Sequence, residues 1–300
     1  MLLTMTEEYS ERSIPEGEIM RDKEGYWVIR THKAGSVGEK TKFWVPGKRP
    51  DKKLSRRQRS AIKKQEQNEY SAVKRLARIL NHYFTGGDIF LGLDYSSKGM
   101  EKLEKWVEGL GIKLQDLNEE EKRDVLYEAA DHELDNCLRR AKRRAKKEGV
   151  EIKAVLTTSD LEWKSETKSY DPARVHHHLV INKEALECFK EAWGELGNVE
   201  WEYMWDYQDD RTPLAEYMLG QVRKIPDAKK FRTTRNLPPI QGKDRIVLND
   251  AELQVPRGGK LLFRREFSKS GQPQYIRYTL PKYGKAALQP DPDYDGRDRE

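Results

Sequence analysis

Apolar side chains recur at intervals of three and four residues between Arg59 and Phe84, which predicts an amphipathic helix. Its apolar positions are Ile62, Val73, Leu76, Ile79, Leu80 and Tyr83. The sequence Thr85-Gly86-Gly87 ends this helix. The period then changes to two, which predicts a strand over residues 88–95 with one apolar face. That face carries Ile89, Leu91, Leu93 and Tyr95, and the opposite face carries Phe90, Gly92 and Asp94.

Helical and extended patterns alternate further along the chain, up to Ile225. Residues 99–149 predict helices that end at Gly149, and residues 152–158 and 174–182 predict two strands separated by a polar loop. A short helix, a strand over residues 199–207 and a helix that begins at Thr212-Pro213 follow. This alternation predicts an α+β fold in which helices cover one face of a largely antiparallel sheet.

The two ends of the chain lack such patterns, so the sequence divides into three regions. Residues 1–58 mix Pro, Gly and Lys with one strand-like patch at Tyr26 to Ile29, and we expect a basic N-terminal arm without a core. Residues 59–240 form the predicted domain. Residues 241–300 are irregular and basic, which predicts a C-terminal extension that is disordered in part.

Positive charge is clustered far more than the net charge of +6 indicates. From Lys40 to Lys64 there are eleven basic residues and one acid, and Arg139 to Lys147 holds seven basic residues in nine positions. Such clusters favour contact with a nucleic-acid backbone, although a solvated helix face and a loose tail would show the same pattern. The candidate DNA-binding residues are Lys52, Lys53, Arg56, Arg57, Arg143, Arg144 and Lys224.

Cysteine usage and hydropathy disfavour several classes of protein. Cys137 and Cys188 are too few for a disulfide framework and form no CxxC zinc motif. No apolar run approaches the roughly eighteen residues of a membrane span, and the first residues lack a signal-peptide pattern. The stretch Gly35 to Thr41 has Glu39 where a phosphate-binding loop has its second glycine, which argues against an ATPase or helicase. We expect a soluble, cytoplasmic protein with no membrane partner.

Three consecutive histidines lie in the predicted strand from Arg174 to Asn182. Side chains alternate along a strand, so His176 and His178 project from one face and can bind one divalent cation together. Exposed structural histidines are the alternative for this pair. His177 projects to the opposite face, where we expect it to be packed and hydrogen-bonded. Its companions on that face are Val175, Leu179 and Ile181.

The third ligand of such a site is expected to be an oxygen. No histidine follows this strand, because the other three, His32, His82 and His132, all precede it. A carboxylate or amide oxygen beside two imidazoles makes a mixed site suited to Mg²⁺ or Mn²⁺. Glu162 is the first candidate, and the alternatives are Asp160 in the same loop and Asp94 on the neighbouring strand.

The helix that begins at Thr212 carries a candidate nucleophile, Tyr217. This residue shares a polar stripe with Gln221 and Lys224, away from the apolar stripe of Leu214, Met218 and Val222. A phenol with a reference pKa of about 10 is a poor nucleophile in water. A metal that polarises a phosphate and a cation that favours phenolate would let it attack phosphorus. A core or interface tyrosine is the alternative.

These motifs, in this order, resemble the HUH endonucleases, in particular the rolling-circle replication initiators of plasmids and phages of Gram-positive bacteria. The resemblance spans roughly residues 58–240. It consists of the apolar strand at Phe90 to Tyr95, the histidine strand, and then the helix with Tyr217. The basic segment Phe231 to Pro238 also looks like this group.

The chain departs from the family pattern at two places. His177 stands where a bulky apolar residue is usual, which agrees with its apolar face. Gly92 and Asp94 stand where small hydroxyl residues are common, which leaves open whether Asp94 joins the metal site. One tyrosine suits the helix position, so the chain resembles the single-tyrosine branch.

The resemblance implies a fold and a function. The fold would be a ferredoxin-like HUH endonuclease fold, with a central antiparallel sheet, helices packed on it, and the tyrosine helix across the histidine face. The protein would use Mg²⁺ or Mn²⁺ and Tyr217 to nick a single-stranded replication origin, keep the 5′ phosphate, and release a 3′ hydroxyl that primes a host polymerase. A host helicase would be a further partner, in the cytoplasm of a bacterial host.

Other functions are compatible with the same residues. A conjugative relaxase or a single-tyrosine transposase would use the same chemistry on another DNA partner. A non-catalytic DNA-binding replication protein would keep the histidines as structural residues. A metal hydrolase acting on small molecules is disfavoured by the basic clusters.

Overall fold

The structure, a computed structural model, describes residues 25–46, 61–204, 210–223, 229–248, 251–266 and 273–280, with backbone alone for 61–67. The chain divides into two compact units. We call Ser60–Ile240 the central unit, and we call Met1–Arg59 together with Gln241–Glu300 the split unit.

The described residues form ten strands and five α-helices. The strands are β1 (Gly25–Ala34), β2 (Val37–Pro46), β3 (Ile89–Asp94), β4 (Ala154–Lys164), β5 (Ser169–Ile181), β6 (Val199–Tyr203), β7 (Arg232–Thr233), β8 (Lys243–Val247), β9 (Lys260–Arg265) and β10 (Gln274–Thr279). The helices are α1 (Ala61–Tyr83), α2 (Ser97–Gly109), α3 (Glu119–Glu148), α4 (Leu186–Trp193) and α5 (Thr212–Gly220). No helix in these ranges has the length and apolarity needed to cross a bilayer.

The central unit contains one antiparallel sheet with the strand order β6-β3-β5-β4-β7. Its elements follow the order strand, helices, two strands, helix, strand, in which β4 and β5 form a hairpin. The histidine strand β5 therefore lies in the middle of the sheet. The prediction of an α+β fold built on an antiparallel sheet is confirmed.

Helices cover both faces of this sheet, so the prediction that they cover one face is wrong. One face packs on α2, α3 and α4, through a core that includes Leu91, Leu179 and Leu134. The other face packs on α1 and α5, through a core that includes Val180 and Met218. Because the ends of β4 and β5 are apolar at successive positions, both faces of the sheet need cover from water.

The segment 159–173, predicted as a polar loop, is instead the tip of a long hairpin. β4 and β5 remain paired out to Lys164 and Ser169, with a β-bulge between Ser159 and Leu161. The rings of Trp163 and Tyr170 lie across the hairpin from each other, with centroids 5.0 Å apart. This cross-strand aromatic pair stabilises a segment whose polar composition had indicated a loop.

The split unit corrects the prediction of an N-terminal arm without a core, and it contains strands within residues 241–280 that the sequence had left irregular. Its described residues form a five-stranded antiparallel sheet with the order β8-β1-β2-β10-β9, around a small core of Ile29, Leu253, Ile276 and Tyr278. Arg30 of β1 forms a bidentate ion pair with Asp244 of β8, at 2.6 and 2.7 Å. Strands more than 200 residues apart thus complete one sheet, a pairing that no local pattern can reveal.

The split unit also contains the start of the basic run that begins at Lys40. Lys40 and Lys42 are buried in β2, and the Lys42 ammonium donates a hydrogen bond to the Ala251 carbonyl at 2.7 Å. These two lysines are therefore structural. The candidate DNA-binding residues Lys52, Lys53, Arg56, Arg57 and Lys224 lie outside the described residues.

Candidate active site

The three histidines of β5 divide between the two faces of the sheet, as their alternation predicted. His177 is fully buried on the face covered by α2 to α4. Its ring nitrogens lie 2.9 Å from the Tyr95 hydroxyl and 3.2 Å from the Thr158 hydroxyl. Burial among these uncharged partners holds the pKa of His177 well below its usual value. His177 is thus a neutral, structural residue.

His176 and His178 project to the opposite face and meet a third side chain there. Their Nε2 atoms are 3.1 Å apart. The amide oxygen Oε1 of Gln221 lies 3.2 Å from the His176 Nε2 and 3.1 Å from the His178 Nε2. Two nitrogens and one oxygen therefore form a nearly equilateral triangle, which we call the donor triangle.

Hydrogen bonds and burial indicate the protonation of the two rings. The Nδ1 atom of His176 lies 2.9 Å from the Arg174 carbonyl, which can only accept, so Nδ1 carries the proton and Nε2 is the acceptor in the neutral ring. Burial, and then the nearby His176, lower the pKa of His178 to about 4, so its ring is neutral at pH 7. The buried Nδ1 of His178 has no hydrogen-bond partner among the described residues.

The donor triangle fits a divalent cation. In an octahedral site with bonds of about 2.1 Å, neighbouring ligands are roughly 3.0 Å apart. The three edges of the donor triangle are 3.1, 3.2 and 3.1 Å. Two imidazole nitrogens and an amide oxygen match the mixed donor set expected for Mg²⁺ or Mn²⁺. The described ranges contain no group of three His, Cys, Asp or Glu side chains that could hold a metal. The donor triangle differs from such a group because its third member is a glutamine.

Glu162, the first candidate for the third ligand, is not part of the donor triangle. Its carboxylate is exposed and binds the Lys164 ammonium at 2.7 Å. This hydrogen bond is the main cause that lowers the pKa of Glu162. The β-bulge between Ser159 and Leu161 changes the register of β4 just before Glu162, so spacing along the chain could not give its direction.

The two alternative carboxylates, Asp160 and Asp94, also do not contact the donor triangle among the described residues. Asp160 is buried and forms ion pairs with Arg123 at 2.6 Å and with Arg223 at 2.5 Å. Asp94 lies opposite His176 on β3, but its side chain is exposed, and no contact with the donor triangle is found among the described residues. The oxygen at the third position is therefore the amide of Gln221.

The turn after α5 is fixed to the β-bulge, and this attachment positions Gln221. The Ser159 hydroxyl donates to the backbone carbonyl of Gln221. Two residues later, the Arg223 guanidinium binds the Asp160 carboxylate. A side chain at Gly220 would collide with the Tyr170 hydroxyl, because a β-carbon there would lie 2.2 Å from that oxygen. The bulge thus aims the Gln221 amide at the histidines.

Tyr217 lies one helical turn before Gln221, beside the donor triangle. Its ring centroid is 5.5 Å from that of His178 and 6.0 Å from that of Phe90. Phe90 in turn stacks on His178, with centroids 5.4 Å apart. Tyr217 is 42% exposed, so a substrate can reach it from solvent. Sequence spacing had placed Tyr217 and Gln221 on one stripe, which was the available signal for the third member of the donor triangle.

The predicted basic residues of α3 are not close to this site. Cys137 and Ala141 show that α3 packs on the sheet face opposite the donor triangle. Arg143 is exposed there, and Arg144 forms ion pairs with Glu148 at 2.6 Å and with Glu191 at 3.2 Å. These two arginines therefore do not contribute to the donor triangle.

The site as a whole combines a donor triangle, an accessible phenol and a rigid attachment to the sheet. Such an arrangement can hold a divalent cation and place a tyrosine hydroxyl beside it. No protein-family model, curated protein or solved structure matches this chain.

Proposed function

We propose that this protein is a metal-dependent endonuclease that nicks single-stranded DNA through a covalent bond to Tyr217 and so starts rolling-circle replication of a plasmid or phage. The observation that carries the proposal is the donor triangle of His176, His178 and Gln221 with the Tyr217 ring 5.5 Å from that of His178. An exposed phenol beside a cation site is the arrangement that such a nickase needs.

The topology of the central unit supports the same proposal. The order β6-β3-β5-β4, with helices after β3 and after β5, resembles that of a ferredoxin-like fold, to which β7 adds a fifth strand. In the HUH endonuclease form of that fold, the histidines lie on a middle strand and the tyrosine helix crosses their face. In this chain the histidines lie on β5 in the middle of the sheet and α5 packs on one face of that sheet, which supports the proposal.

Each residue of the site has a role in the proposed reaction. His176, His178 and Gln221 would hold Mg²⁺ or Mn²⁺. The cation, when bound, would draw charge from the non-bridging oxygens of the scissile phosphate. Phe90 packs against both His178 and Tyr217 and keeps their rings in place. The partial exposure of Tyr217 leaves room for a DNA strand to approach its hydroxyl.

The proposed step transfers the phosphate of the DNA strand to Tyr217, and one bond to phosphorus forms while another breaks. The Tyr217 oxygen forms a bond to phosphorus, and the bond between phosphorus and the 3′ oxygen of the preceding nucleotide breaks. The phenolic proton passes to that 3′ oxygen, through solvent or directly. The products are a 5′-phosphotyrosine and a free 3′ hydroxyl from which a polymerase can extend.

A covalent-adduct experiment tests the proposal. End-labelled random-sequence single-stranded oligonucleotides are incubated with the full chain and Mn²⁺, and products are separated under denaturing conditions. We expect a labelled protein–DNA adduct that chelator abolishes and that Tyr217→Phe lacks. Tyr203→Phe is the matched control, because Tyr203 is 44% exposed and Tyr217 is 42% exposed.

The outcomes separate the proposal from its alternatives. An adduct that persists in Tyr217→Phe contradicts the assignment of the nucleophile. Binding of the oligonucleotide without any adduct, with or without Mn²⁺, would instead support a non-catalytic DNA-binding protein. The role in replication has its own test, because a minimal plasmid that carries this gene should be maintained with the wild-type sequence and lost with Tyr217→Phe.

A further inference from the structure

A second surface of the central unit has the character of a nucleotide-binding site. A cleft of about 540 Å³ opens at the β7 edge of the sheet, between α1 and α3. Five basic residues line it, namely Arg75, Arg78, Lys229, Lys230 and Arg232. Apolar side chains that include Ile79 and Leu138 form part of its lining. We call this surface the edge cleft.

Positive charge in the edge cleft exceeds negative charge. The one acid of the lining, Asp135, binds Arg232 at 2.9 Å, and Arg232 also binds Asp131 at 2.9 Å. Arg75 and Lys229 are exposed and form no ion pair with other described residues. An excess of accessible cations around a partly apolar concave surface favours a ligand with phosphates and a planar base.

The register of the sheet gives the backbone distance between Arg232, at the edge cleft, and His178, in the donor triangle. Arg232 of β7 pairs with Leu156 of β4, whose neighbour Thr157 pairs with His178 of β5. Two strand spacings and one residue step separate Arg232 from His178, which is about 10 Å between their backbones. Because an extended unpaired strand advances more per nucleotide than the roughly 3.4 Å of a duplex strand, at most about three nucleotides of DNA span this distance.

We infer that the edge cleft binds a segment of single-stranded DNA that flanks the scissile phosphate. Arg75 and Lys229 contact its phosphates, and a base of the segment lies on the apolar part of the lining. A volume of about 540 Å³ accommodates one or two unpaired nucleotides and excludes a duplex. This inference rests on the proposed function for the identity of the strand, but its binding test does not require cleavage.

The test measures DNA binding in the absence of metal. A fluorescent single-stranded 30-mer is titrated with the full chain in chelator, at several salt concentrations, and anisotropy is recorded. We expect the double variant Arg75→Ala with Lys229→Ala to bind about tenfold more weakly, with a salt slope smaller by about 1.4, because about 0.7 of the slope is lost per phosphate contact on a single strand.

A matched control removes the same charge from another surface. Lys105→Ala with Lys113→Ala changes two exposed residues, one on α2 and one shortly after it, and we expect its affinity and salt slope to stay within about twofold of wild type. Arg75→Glu provides a second variant, with an expected loss larger than that of either alanine change alone. Circular dichroism of each variant checks that the fold is retained.

Three results would overturn the inference. The Arg75 and Lys229 variant could bind like wild type, or the control variant could lose the affinity instead. Millimolar deoxynucleoside monophosphate could also displace the 30-mer, which would identify a mononucleotide site. The two proposals can fail separately. Loss of binding in the Arg75 and Lys229 variant of a chain that never forms an adduct supports the edge cleft and rejects the nickase.

Discussion

The two faces of β5 show how the same side chain takes different roles at adjacent positions. On the face covered by α2 to α4, His177 is enclosed and both ring nitrogens meet hydroxyl groups. On the face covered by α5, His176 and His178 direct nitrogens toward each other and toward the Gln221 oxygen. The first environment gives each ring nitrogen a hydroxyl partner, whereas the second brings two ring nitrogens and an amide oxygen together in one cluster.

This contrast separates stability from binding. A histidine with satisfied nitrogens contributes to folding, and its removal leaves buried hydroxyl groups without a partner. Substitution of His176 or His178 leaves no buried hydroxyl group without a partner among the described residues, so we expect a smaller loss of stability. The two faces should therefore respond in opposite ways to substitution, and the following experiments test that expectation.

The largest expected effect is the loss of metal binding in His178→Ala. Since the proposed site has three protein ligands, removal of one should lower Mn²⁺ affinity by at least about 100-fold, more than is typical of outer-shell changes. Isothermal titration calorimetry measures the affinity. His177→Phe is the control on the other face: its Mn²⁺ affinity should change less than about threefold, while its free energy of unfolding falls by about 1–3 kcal/mol. Equal losses of affinity in both variants would contradict the contrast.

The second effect is a loss of Mn²⁺ affinity when Gln221, the third member of the donor triangle, is changed. Gln221→Ala should lower Mn²⁺ affinity about ten- to a hundredfold, because the oxygen of the donor triangle is lost. Glu162→Gln is the matched comparison, since it changes the carboxylate that the sequence favoured, and it should leave the affinity unchanged. The reverse result, a loss in Glu162→Gln alone, would show that the exposed hairpin closes over the histidines when metal binds.

A smaller effect is expected at the attachment of the turn after α5. Asp160→Asn removes the charge that holds Arg223, so Gln221 loses part of its fixed position and Mn²⁺ affinity should fall on the order of tenfold. Glu133→Gln is a suitable control, because Glu133 is equally buried and binds Lys102 at 3.0 Å and Arg140 at 2.8 Å, away from the site.

The two variants should both melt at lower temperature than wild type. If Asp160 acts only on stability, however, Mn²⁺ affinity measured well below the melting temperature will be the same in both. A selective loss in Asp160→Asn is the result that assigns it a positioning role.

The smallest effect is a pH dependence of stability. Burial lowers the pKa of His177 and brings that of His178 to about 4, whereas an unfolded histidine titrates near 6.5. As the pH falls below about 6.5 the unfolded chain therefore gains protons that the folded chain does not, and stability is lost by at most about 1.4 kcal/mol per pH unit for each histidine.

Urea denaturation of the metal-free chain between pH 7 and pH 5 measures this slope. His177→Phe removes one of the two groups, so its unfolding free energy should depend less steeply on pH than that of wild type. If the unfolding free energies of the two proteins depended equally on pH, folding would not lower the pKa of His177.

Local periodicity was sufficient to predict the faces of the strands. The alternation around Leu91 and Leu93 gave the buried face of β3, and the alternation around His177 gave both faces of β5. Both predictions succeed because the period of a strand depends on the backbone alone. The end of α3 at Gly149 was predicted for a similar reason, since its φ of 70° is one that glycine readily adopts.

Features that depend on distant or irregular backbone were not predicted. The β-bulge after Ser159 left Glu162 outside the donor triangle, and no residue pattern marks such a bulge in advance. The sheet of the split unit was missed because β1 and β2 find their partners in β8 and β10, far away in sequence. Side-chain patterns within a window report burial, but they carry no information about which window pairs with which.

The split unit has a consequence for biosynthesis. When translation reaches Ile240, every residue of the central unit has been made, but β1 and β2 still lack β8 and β10. A nascent chain at this stage exposes two strand edges, which are prone to pair with other polypeptides. Both strands have their partners only when residues 274–279 have left the ribosome, so slow elongation or termination between residues 240 and 279 should favour misfolding of this protein.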